Sequence, residues 1–333
     1  MAAVIQESVL REELFDRRQK LETAITASDD TVHLAGLLRE VDAALERMGR
    51  GAYGLCEVCR DPVERERLIA DPLVSVCLGC LSPLQRRALE DDLELAAQIQ
   101  ATLLPPRNFA SDGWQVSYHY EAAQHVSGDY IELVGDDDGQ LYFMLGDVSG
   151  KGIAASMLMT QLHAMFRTLI PLGLPLNKIV ERASRIFCES TLPTHFATLV
   201  CGRADGAGEV EVCNAGHLPP LLIHEGRVTS LAATGMPIGV FCNEQFTSLR
   251  VSMSPGDTLL LYTDGLSEAR DASNAEYGTE RLLRLVGQCL EHTPESLVTH
   301  CLKDLLAFSG DTPRTDDLTI MAIRRQKAVN GKS

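Results

Sequence analysis

The sequence lacks the features that would place the chain in a membrane, in the secretory pathway or on nucleic acid. It has no run of about 18 uncharged apolar residues, so no transmembrane helix is expected. The N-terminal stretch has no basic region followed by an apolar one, so no signal peptide is expected and the chain is predicted to be cytoplasmic. Acidic residues outnumber basic ones by 46 to 30. Direct nucleic-acid binding is therefore not expected, because phosphate contacts need clustered cations.

The composition is otherwise that of an ordinary globular protein. Hydrophobic residues make up 45% and charged residues 23% of the 333 positions. A chain of this length favours two domains and buries a full core without disulfides or other cross-links. The net charge of −16 is interpreted as a device for solubility.

Ten cysteines are present, and they fall into two groups. Four of them form two closely spaced pairs. The other six are scattered, mostly in apolar runs, which predicts buried thiols in a reducing compartment and not a disulfide framework. These six are Cys188, Cys201, Cys213, Cys242, Cys289 and Cys301.

Helices are predicted in the first third of the chain. Apolar residues recur at helical spacing over 4–26 and 32–48, and the polar stretch between these segments predicts a helical hairpin. The change in amino-acid pattern along the chain then predicts the domain boundaries. They are a helical hairpin at 1–50, a zinc-binding segment at 51–82, a linker helix at 83–106, a larger domain at 107–326 and a tail at 327–333.

The linker helix has two interpretations. Pro83 opens it and Pro105-Pro106 closes it. Its apolar residues recur every three or four positions over two to three heptads, which is typical both of a coiled-coil dimer seam and of a helix packed on its own domain. The apolar residues are Leu89, Leu93, Ala96 and Leu103, with Ile99 beside them.

After residue 107 short apolar runs separated by Gly, Asn and Asp predict strands. Helical patterns lie between some of them, without a regular βαβ alternation. The sequence therefore predicts an α+β domain with mixed or antiparallel sheets flanked by helices. The predicted strands are WQVSYHY, QLYFMLGDV, THFATLVCG, EVEVCNAG, LPPLLIH, FTSLRVSM, DTLLLYTDG and DDLTIMAIR, and the predicted helices lie at 152–170, 175–191, 278–291 and 294–308.

The paired cysteines have the spacing of a zinc site. Cys56 and Cys59, and then Cys77 and Cys80, form two CxxC pairs separated by 17 residues. Four thiolates suit a tetrahedral zinc ion and leave no open coordination position, so the predicted site is structural. The alternative is a redox CxxC pair, which needs a βαβ context that this segment lacks.

The stretch AALERMGRGAYGLCEVCRDPVERERLIADPLVSVCLGC resembles the DksA/TraR zinc-finger family over residues 34–82. Members of that family insert a long α-hairpin into RNA polymerase. The hairpin here has two short arms with Ser28-Asp29-Asp30 at its tip, which only approximates the family's acidic tip. A docking or oligomerisation module is therefore favoured over binding to RNA polymerase.

Four turns at the ends of predicted strands carry aspartates. Asp129, Asp147, Asp264 and Asp316 all lie in the larger domain, and glycine neighbours three of them. Carboxylates at strand ends are suitable ligands for Mg²⁺ or Mn²⁺. A single Asp-Gly pair would be an ordinary turn, so the prediction rests on the set of four.

The motifs SGDY, GDVSGKGIAASMLM, FATL, NAGHLPPLL, TGMPIG, LLLYTDGLSEA and TDDLTIMAI occur in the order found in the SpoIIE/RsbU-like branch of the PPM phosphatases. The resemblance spans roughly 93–325 and implies a β-sandwich of two sheets. It also implies two Mn²⁺ or Mg²⁺ ions that bridge a water molecule for in-line attack on a phosphoserine or phosphothreonine. By position it implies that Asp147 bridges the ions, that the Val148 carbonyl is a further ligand, and that Asp129, Asp264 and Asp316 complete the shells.

The sequence leaves two possible roles for several residues of the larger domain. Asp317 is an alternative ligand beside Asp316. Glu132 stands where the family often has a second aspartate, and it accepts hydrogen bonds or reaches a metal ion. Lys151 either orients phosphate or is solvated, and His217 is either a proton donor or a hydrogen-bonded structural residue, the latter being favoured.

The resemblance implies a partner as well as a reaction. SpoIIE/RsbU-like enzymes typically act on a phosphorylated STAS-domain anti-sigma-factor antagonist, and a helical linker before the core transmits a signal, often through dimerisation. A homodimer through the linker helix is the corresponding expectation. The competing hypotheses are a non-catalytic scaffold that binds a partner and a regulator that acts on RNA polymerase through the zinc finger.

Overall fold

The structure is a computed structural model that describes residues 2–27, 31–111, 113–136, 138–192, 194–289 and 292–326. The predicted hairpin tip at Ser28-Asp29-Asp30 and the predicted tail at 327–333 lie outside these residues. The chain divides into two compact units, 1–92 and 93–333. Among the described helices, none combines the length and the apolar character needed to cross a bilayer.

The described residues form nine α-helices and eleven strands, numbered here in chain order. The helices are α1 (Ala2–Ala27), α2 (Thr31–Gly49), α3 (Arg65–Ala70), α4 (Pro83–Leu103), α5 (Gly152–Leu169), α6 (Leu176–Ser190), α7 (Asp264–Ser267), α8 (Thr279–Gly287) and α9 (Pro294–Ser309). The strands are β1 (Asn108–Ser111), β2 (Trp114–Glu121), β3 (Asp129–Gly135), β4 (Leu141–Val148), β5 (Ala197–Ala204), β6 (Glu209–Ala215), β7 (Leu221–His224), β8 (Arg227–Ser230), β9 (Leu249–Ser252), β10 (Thr258–Tyr262) and β11 (Leu318–Arg325).

In the first unit α1 and α2 form the predicted antiparallel hairpin. Leu14 of α1 is buried against Val41, Ala44 and Met48 of α2, which follow the three- and four-residue spacing of one helix face. The helix α4 then starts with a capping box: Ser82 and Gln85 exchange hydrogen bonds between side chain and backbone.

The second unit is a sandwich of two antiparallel sheets with helices on both outer faces. One sheet has the order β1-β2-β11-β10-β7-β8 and the other β3-β4-β5-β6-β9. The alternation of side chains along each strand sends one set into a core between the sheets and the other set towards the helices. The predicted α+β fold class is confirmed.

The cysteine prediction is wrong at two positions. Cys188 of α6 and Cys242 of the segment between β8 and β9 form a disulfide, whereas Cys201, Cys213, Cys289 and Cys301 are buried thiols as expected. The sequence missed the pair because residues 54 positions apart are brought together only by the packing of that segment against α6.

Candidate metal centre

The first two aspartates are brought together by the β3–β4 hairpin. Asp129 begins β3 and stands directly opposite Asp147 near the end of β4. Each lies two positions from a side chain of the core between the sheets (Ile131 and Leu145), so both carboxylates lie on that face at the rim of the sandwich. The space beside Gly128 is tight, because a Cβ there would lie 3.1 Å from the Val148 carbonyl oxygen and 3.4 Å from Asp147 Oδ1. The carbonyl and the carboxylate therefore face one confined space.

The other two aspartates come from the second sheet. Asp264 is the first residue of the short helix α7, separated from the end of β10 by one residue, and Asp316 precedes β11. The two loops touch: a Cβ on Gly265 would lie 1.8 Å from the carbonyl oxygen of Asp317. Because β10 and β11 are neighbours in the sheet, their ends place the two loops side by side.

Asp129 links the two sheets at this rim. Its side chain is only 1% exposed, and its Oδ2 accepts hydrogen bonds from the hydroxyls of Thr263 and Thr319. Each threonine lies close in sequence to a predicted ligand of the second sheet. The sequence analysis did not identify either threonine. The available signal was a hydroxyl residue at the end of an apolar strand, because such a residue needs a polar partner when it is buried.

Asp316 and its neighbour Asp317 have different surroundings. The two carboxylate oxygens of Asp317 accept hydrogen bonds from the backbone N–H groups of Ala123 and Gly128, at 2.8 and 2.9 Å. Asp316 Oδ2 accepts a hydrogen bond of 2.8 Å from Lys151 Nζ, and the Asp316 side chain is 39% exposed. Asp317 thus positions the loop before Asp129, and Lys151 is held against Asp316.

The carboxylates raise one another's pKa. Burial raises the pKa of Asp147 to about 7, with further contributions from the charges of Asp264, Asp316 and Asp317. Burial, followed by the charge of Asp147, also raises the pKa of Asp129 well above its ordinary value. Neighbouring carboxylates that disfavour one another's ionised form, together with a backbone carbonyl, make an oxygen donor set that suits hard divalent cations.

A cleft of about 520 Å³ opens beside the aspartates. Asp147 and Asp264 line this cleft. Glu268 lines both this cleft and a second cavity, and Asp316 lines that second cavity. The remaining lining residues of the cleft include Ser149, Phe196, Thr198, Gly216, His217 and Pro219. Asp129, Asp147, Asp264 and Asp316, widely separated in the sequence, therefore lie around one end of the sandwich.

His217 is held by four polar contacts. Its Nε2–H donates to the Tyr262 carbonyl, so its Nδ1 accepts from the hydroxyl of Thr198 at 2.8 Å. The Asn214 side chain accepts a hydrogen bond from the backbone N–H of His217 and donates one to the His217 carbonyl. Burial lowers the pKa of His217 to about 4, so the ring is neutral near pH 7. The favoured interpretation of His217 as a hydrogen-bonded structural residue is supported by this geometry.

Glu132 does not reach the aspartates. It is three residues from Asp129, so the pleat sends its side chain to the opposite face of the sheet, towards α5. There its side chain is fully buried, forms an ion pair with Arg167 at 2.9 Å, and lies 2.9 Å from Nδ1 of His163. Burial raises the pKa of Glu132, and Arg167 offsets part of that shift. Of the two roles left open for Glu132, the structure favours the acceptor of hydrogen bonds, since its carboxylate accepts from Arg167 on the face of the sheet opposite to Asp129.

Gln100, at the end of α4, supports the loop before Asp129 and was not singled out from the sequence. It is 4% exposed. Its amide donates to the Ser127 carbonyl at 2.7 Å and accepts from the Ser127 N–H at 3.0 Å and from the Tyr120 hydroxyl at 3.2 Å. A polar residue flanked by apolar ones near a helix end was the available signal.

Replacing Gln100 with alanine is expected to lower the free energy of unfolding of the second unit by about 2 kcal/mol, because the buried N–H and C=O of Ser127 lose their partner. The fluorescence of Trp114, the single tryptophan, reports the denaturant-induced transition of this unit. The matched control is Gln98→Ala, two residues earlier on the exposed face of α4, which should stay within about 0.5 kcal/mol of wild type. Equal effects of the two substitutions would contradict this role for Gln100.

The four paired cysteines of the first unit also converge. Their Sγ atoms all lie within 4.8 Å of one another, and Cys59 and Cys77 are 3.7 Å apart. Backbone N–H groups of Cys59 and Cys77 lower the pKa of the Cys56 thiol to about 6. The carboxylate of Glu64 accepts a hydrogen bond from the N–H of Leu78 and so positions the second CxxC turn.

Comparisons with known proteins agree with both halves of this description. Residues 137–326 match the family "Stage II sporulation protein E (SpoIIE)", and residues 51–86 match the family "Prokaryotic dksA/traR C4-type zinc finger". The chain is 32% identical over 184 residues to the phosphoserine phosphatase RsbP of Bacillus subtilis, which covers 53% of this chain and 45% of RsbP. It is 28% identical over 265 residues to protein IcfG of Synechocystis, covering 70% and 41% of the two chains. It thus spans less than half the length of either relative.

Among solved structures, the RsbU and RsbW domains of Rv1364c from Mycobacterium tuberculosis superpose with a TM-score of 0.57. The sequence identity is 26%, and the match covers 65% of this chain and 62% of that one. The SpoIIE match extends over more than half of the residues, and the motifs that carry the aspartates lie in or directly before it. The chain therefore belongs to the SpoIIE family.

Proposed function

We propose that the second unit is a metal-dependent protein phosphatase that hydrolyses phosphoserine or phosphothreonine. The observation that carries the proposal is the convergence of Asp129, Asp147, Asp264 and Asp316 at one end of the sandwich, beside an open cleft. Membership of the SpoIIE family and the similarity to a protein named as a phosphoserine phosphatase support it. The retained acid set disfavours the alternative of a non-catalytic scaffold.

The proposed ligands of two Mn²⁺ or Mg²⁺ ions are the four aspartates and the Val148 carbonyl. Such ions supply a water nucleophile of lowered pKa and neutralise the charge of the phosphoryl oxygens. Asp317 is left out of the ligand set, because both of its oxygens already hold backbone N–H groups. Its role is to position the Asp129 loop.

The remaining residues orient the site. Thr263 and Thr319 fix the Asp129 carboxylate. Lys151 donates a hydrogen bond to Asp316 and so holds its carboxylate in place. Neutral His217 keeps the loop after β6 against Tyr262, and so shapes the cleft wall without serving as the proton donor.

The proposed substrate is a phosphorylated partner protein of sigma-factor regulation, a STAS-type anti-sigma-factor antagonist. The test uses the full chain with a phosphoserine peptide, a phosphotyrosine peptide and p-nitrophenyl phosphate. We expect Mn²⁺-dependent phosphate release from the phosphoserine peptide in preference to the phosphotyrosine peptide. Chelation should abolish the release and added Mn²⁺ should restore it. Absence of release from every substrate at saturating Mn²⁺ would refute the proposal.

A structural zinc ion in the first unit is the second part of the proposal. In a tetrahedral site with Zn–S bonds of ~2.3 Å, sulfur atoms are roughly 3.8 Å apart, which agrees with the 3.7 Å between Cys59 and Cys77. A closed four-thiolate site serves folding and docking of the module. Binding to RNA polymerase is not proposed, since the hairpin tip that would carry it lies outside the described residues.

Cys77→Ser is expected to abolish zinc binding and to unfold the segment around the cysteines, because structural zinc contributes about 10 kcal/mol or more of binding free energy to such modules. Metal analysis should fall from about one zinc per chain to background, and limited proteolysis should cut between the two CxxC pairs. The control is Cys289→Ser, which removes a buried thiol of the second unit and should keep the zinc. Retention of zinc by Cys77→Ser would contradict the site.

A homodimer through α4 stays a prediction. Leu95 and Ile99 are each 55% exposed, whereas the predicted seam residues Leu93 and Ala96 are partly covered. We expect the combined substitutions Leu95→Glu and Ile99→Glu to convert a dimer into a monomer, as measured by light scattering. A wild-type protein that is monomeric at micromolar concentration would contradict it.

A further inference from the structure

Two cysteines of the second unit differ from all its other described cysteines. Cys188, in the last turn of α6, is joined by a disulfide to Cys242, and Cys242 lies exposed on the surface. Cys201, Cys213, Cys289 and Cys301 are buried thiols. Exposure is what allows a thiolate to attack an external disulfide and an external dithiol to reduce this one. The disulfide between Cys188 and Cys242 is therefore accessible to thiols in solution.

The disulfide fastens a segment that packs against residues at the cleft lining. Within this segment, which we call the wall segment and which runs from 235 to 242, Ile238 exchanges two backbone hydrogen bonds with Ala197, at 3.0 and 2.9 Å. Ala197 directly follows Phe196, which lines the cleft beside Asp147. The position of the wall segment is thus transmitted to the cleft through a pair of backbone hydrogen bonds.

Two glycine contacts show how closely the wall segment is packed. A Cβ on Gly216, another residue of the cleft lining, would lie 2.6 Å from the ring of Pro237. A Cβ on Gly239 would lie 2.7 Å from the ring of Phe187, the residue before Cys188. The wall segment therefore fills the space between α6 and the cleft, and the disulfide closes its outer end onto α6.

The outer end of the wall segment is apolar and exposed. Val240 and Phe241 are 40% and 57% exposed, directly before Cys242, and Phe196 at the cleft is 41% exposed. Exposed apolar side chains beside a cleft are a usual feature of surfaces that contact another protein. The cross-link determines how rigidly these side chains are presented.

We propose that Cys188 and Cys242 are a thiol pair whose oxidation locks the wall segment and thereby improves the binding of a protein substrate at the cleft. The inference rests on the proposed phosphatase function. It predicts that reduction weakens the binding of a protein substrate and leaves the aspartates, and hence the reaction of a small phosphate ester, unchanged.

The chemistry is ordinary thiol–disulfide exchange with a small disulfide RSSR. The exposed Cys242 thiolate attacks one sulfur of RSSR, forming a mixed disulfide and releasing RS⁻. The Cys188 thiolate then attacks the Cys242 sulfur and releases the second RS⁻. The two cysteine protons pass to the released thiolates, so the protein loses two electrons and RSSR becomes 2 RSH. An excess of a dithiol reverses both steps.

The test compares the full chain after equilibration in oxidised and in reduced dithiothreitol. Peptide mapping after alkylation should find Cys188 linked to Cys242 only in the oxidised sample. The amides of Ala197 and Ile238 should exchange hydrogen faster after reduction. The KM for a phosphoserine protein should rise roughly threefold to tenfold on reduction, since a less preorganised surface binds more weakly, and kcat/KM for p-nitrophenyl phosphate should not change.

The variants separate this pair from the zinc cysteines. Cys188→Ser and Cys242→Ser should each behave like the reduced wild type in both buffers, whereas Cys289→Ser should respond like wild type. A redox response that survives in the Cys188→Ser/Cys242→Ser double variant would belong to the zinc site and overturn the inference. So would equal amide exchange in the two redox states. A failure of the proposed function looks different, because phosphate release is then absent in both states while peptide mapping and amide exchange still report on the cross-link.

Discussion

Asp147→Asn is expected to lower Mn²⁺-dependent phosphate release by about 100- to 1000-fold, the usual cost of removing a charge-stabilising group from an active site. Asp147 lies at the centre of the acidic set. It faces Asp129 across the hairpin, and burial, followed by the charges of Asp264, Asp316 and Asp317, raises its pKa. Asparagine keeps the shape of the side chain but removes the negative charge that a divalent ion needs.

The fold should survive this change, because removing one of several mutually repelling buried carboxylates relieves unfavourable charge interactions. The matched control is Asp138→Asn, an exposed aspartate in the turn at the other end of the same hairpin, which should keep wild-type activity. Phosphate release should be measured over a range of Mn²⁺ concentrations, so that weaker metal binding is separated from a slower reaction. Full activity of Asp147→Asn would refute the two-ion site.

Gly265→Ala is expected to lower kcat/KM by about 100-fold although it removes no functional group. The new Cβ would lie 1.8 Å from the Asp317 carbonyl oxygen and 3.3 Å from the Cα of Leu318, so backbone must move. The loops that move carry Asp264 on one side and Asp316 on the other. A displacement of about 1 Å in such a constellation typically costs about 100-fold in rate.

The control for this substitution is Gly206→Ala, in the turn between β5 and β6, where an added Cβ meets nothing within 4 Å. It should change neither the rate nor the unfolding transition. The melting temperature of Gly265→Ala should also fall, because the overlap is with backbone and no side chain rotation relieves it. Wild-type kinetics for Gly265→Ala would show that the two loops need not be in contact for activity.

The two substitutions test different properties of the aspartate site. Asp147→Asn removes charge and keeps geometry, whereas Gly265→Ala keeps every charge and changes geometry. If only Asp147→Asn reduces activity, the reaction tolerates changes in the positions of the aspartates. If both do, the close packing between β10 and β11 at their ends is as important for the reaction as the carboxylates.

Much of the fold was predictable because strand and helix patterns are local. The eight predicted strands correspond to observed ones, and the four predicted helices of the larger domain correspond to α5, α6, α8 and α9. The predictions missed β1 and β8, each of four residues and at an edge of its sheet, and β3, whose buried residues on both faces give no alternating pattern.

The CxxC spacing and the four strand-end aspartates could be identified from the amino-acid sequence alone, because their chemistry depends on residue type and on neighbours a few positions away. Tertiary structure alone decided which way each side chain points and which distant residues meet. The pleat turned Glu132 away from Asp129. Backbone donors 194 and 189 residues away occupied the Asp317 carboxylate, and packing joined Cys188 to Cys242. These outcomes depend on contacts between segments far apart in the chain, and no local pattern encodes where such segments come together.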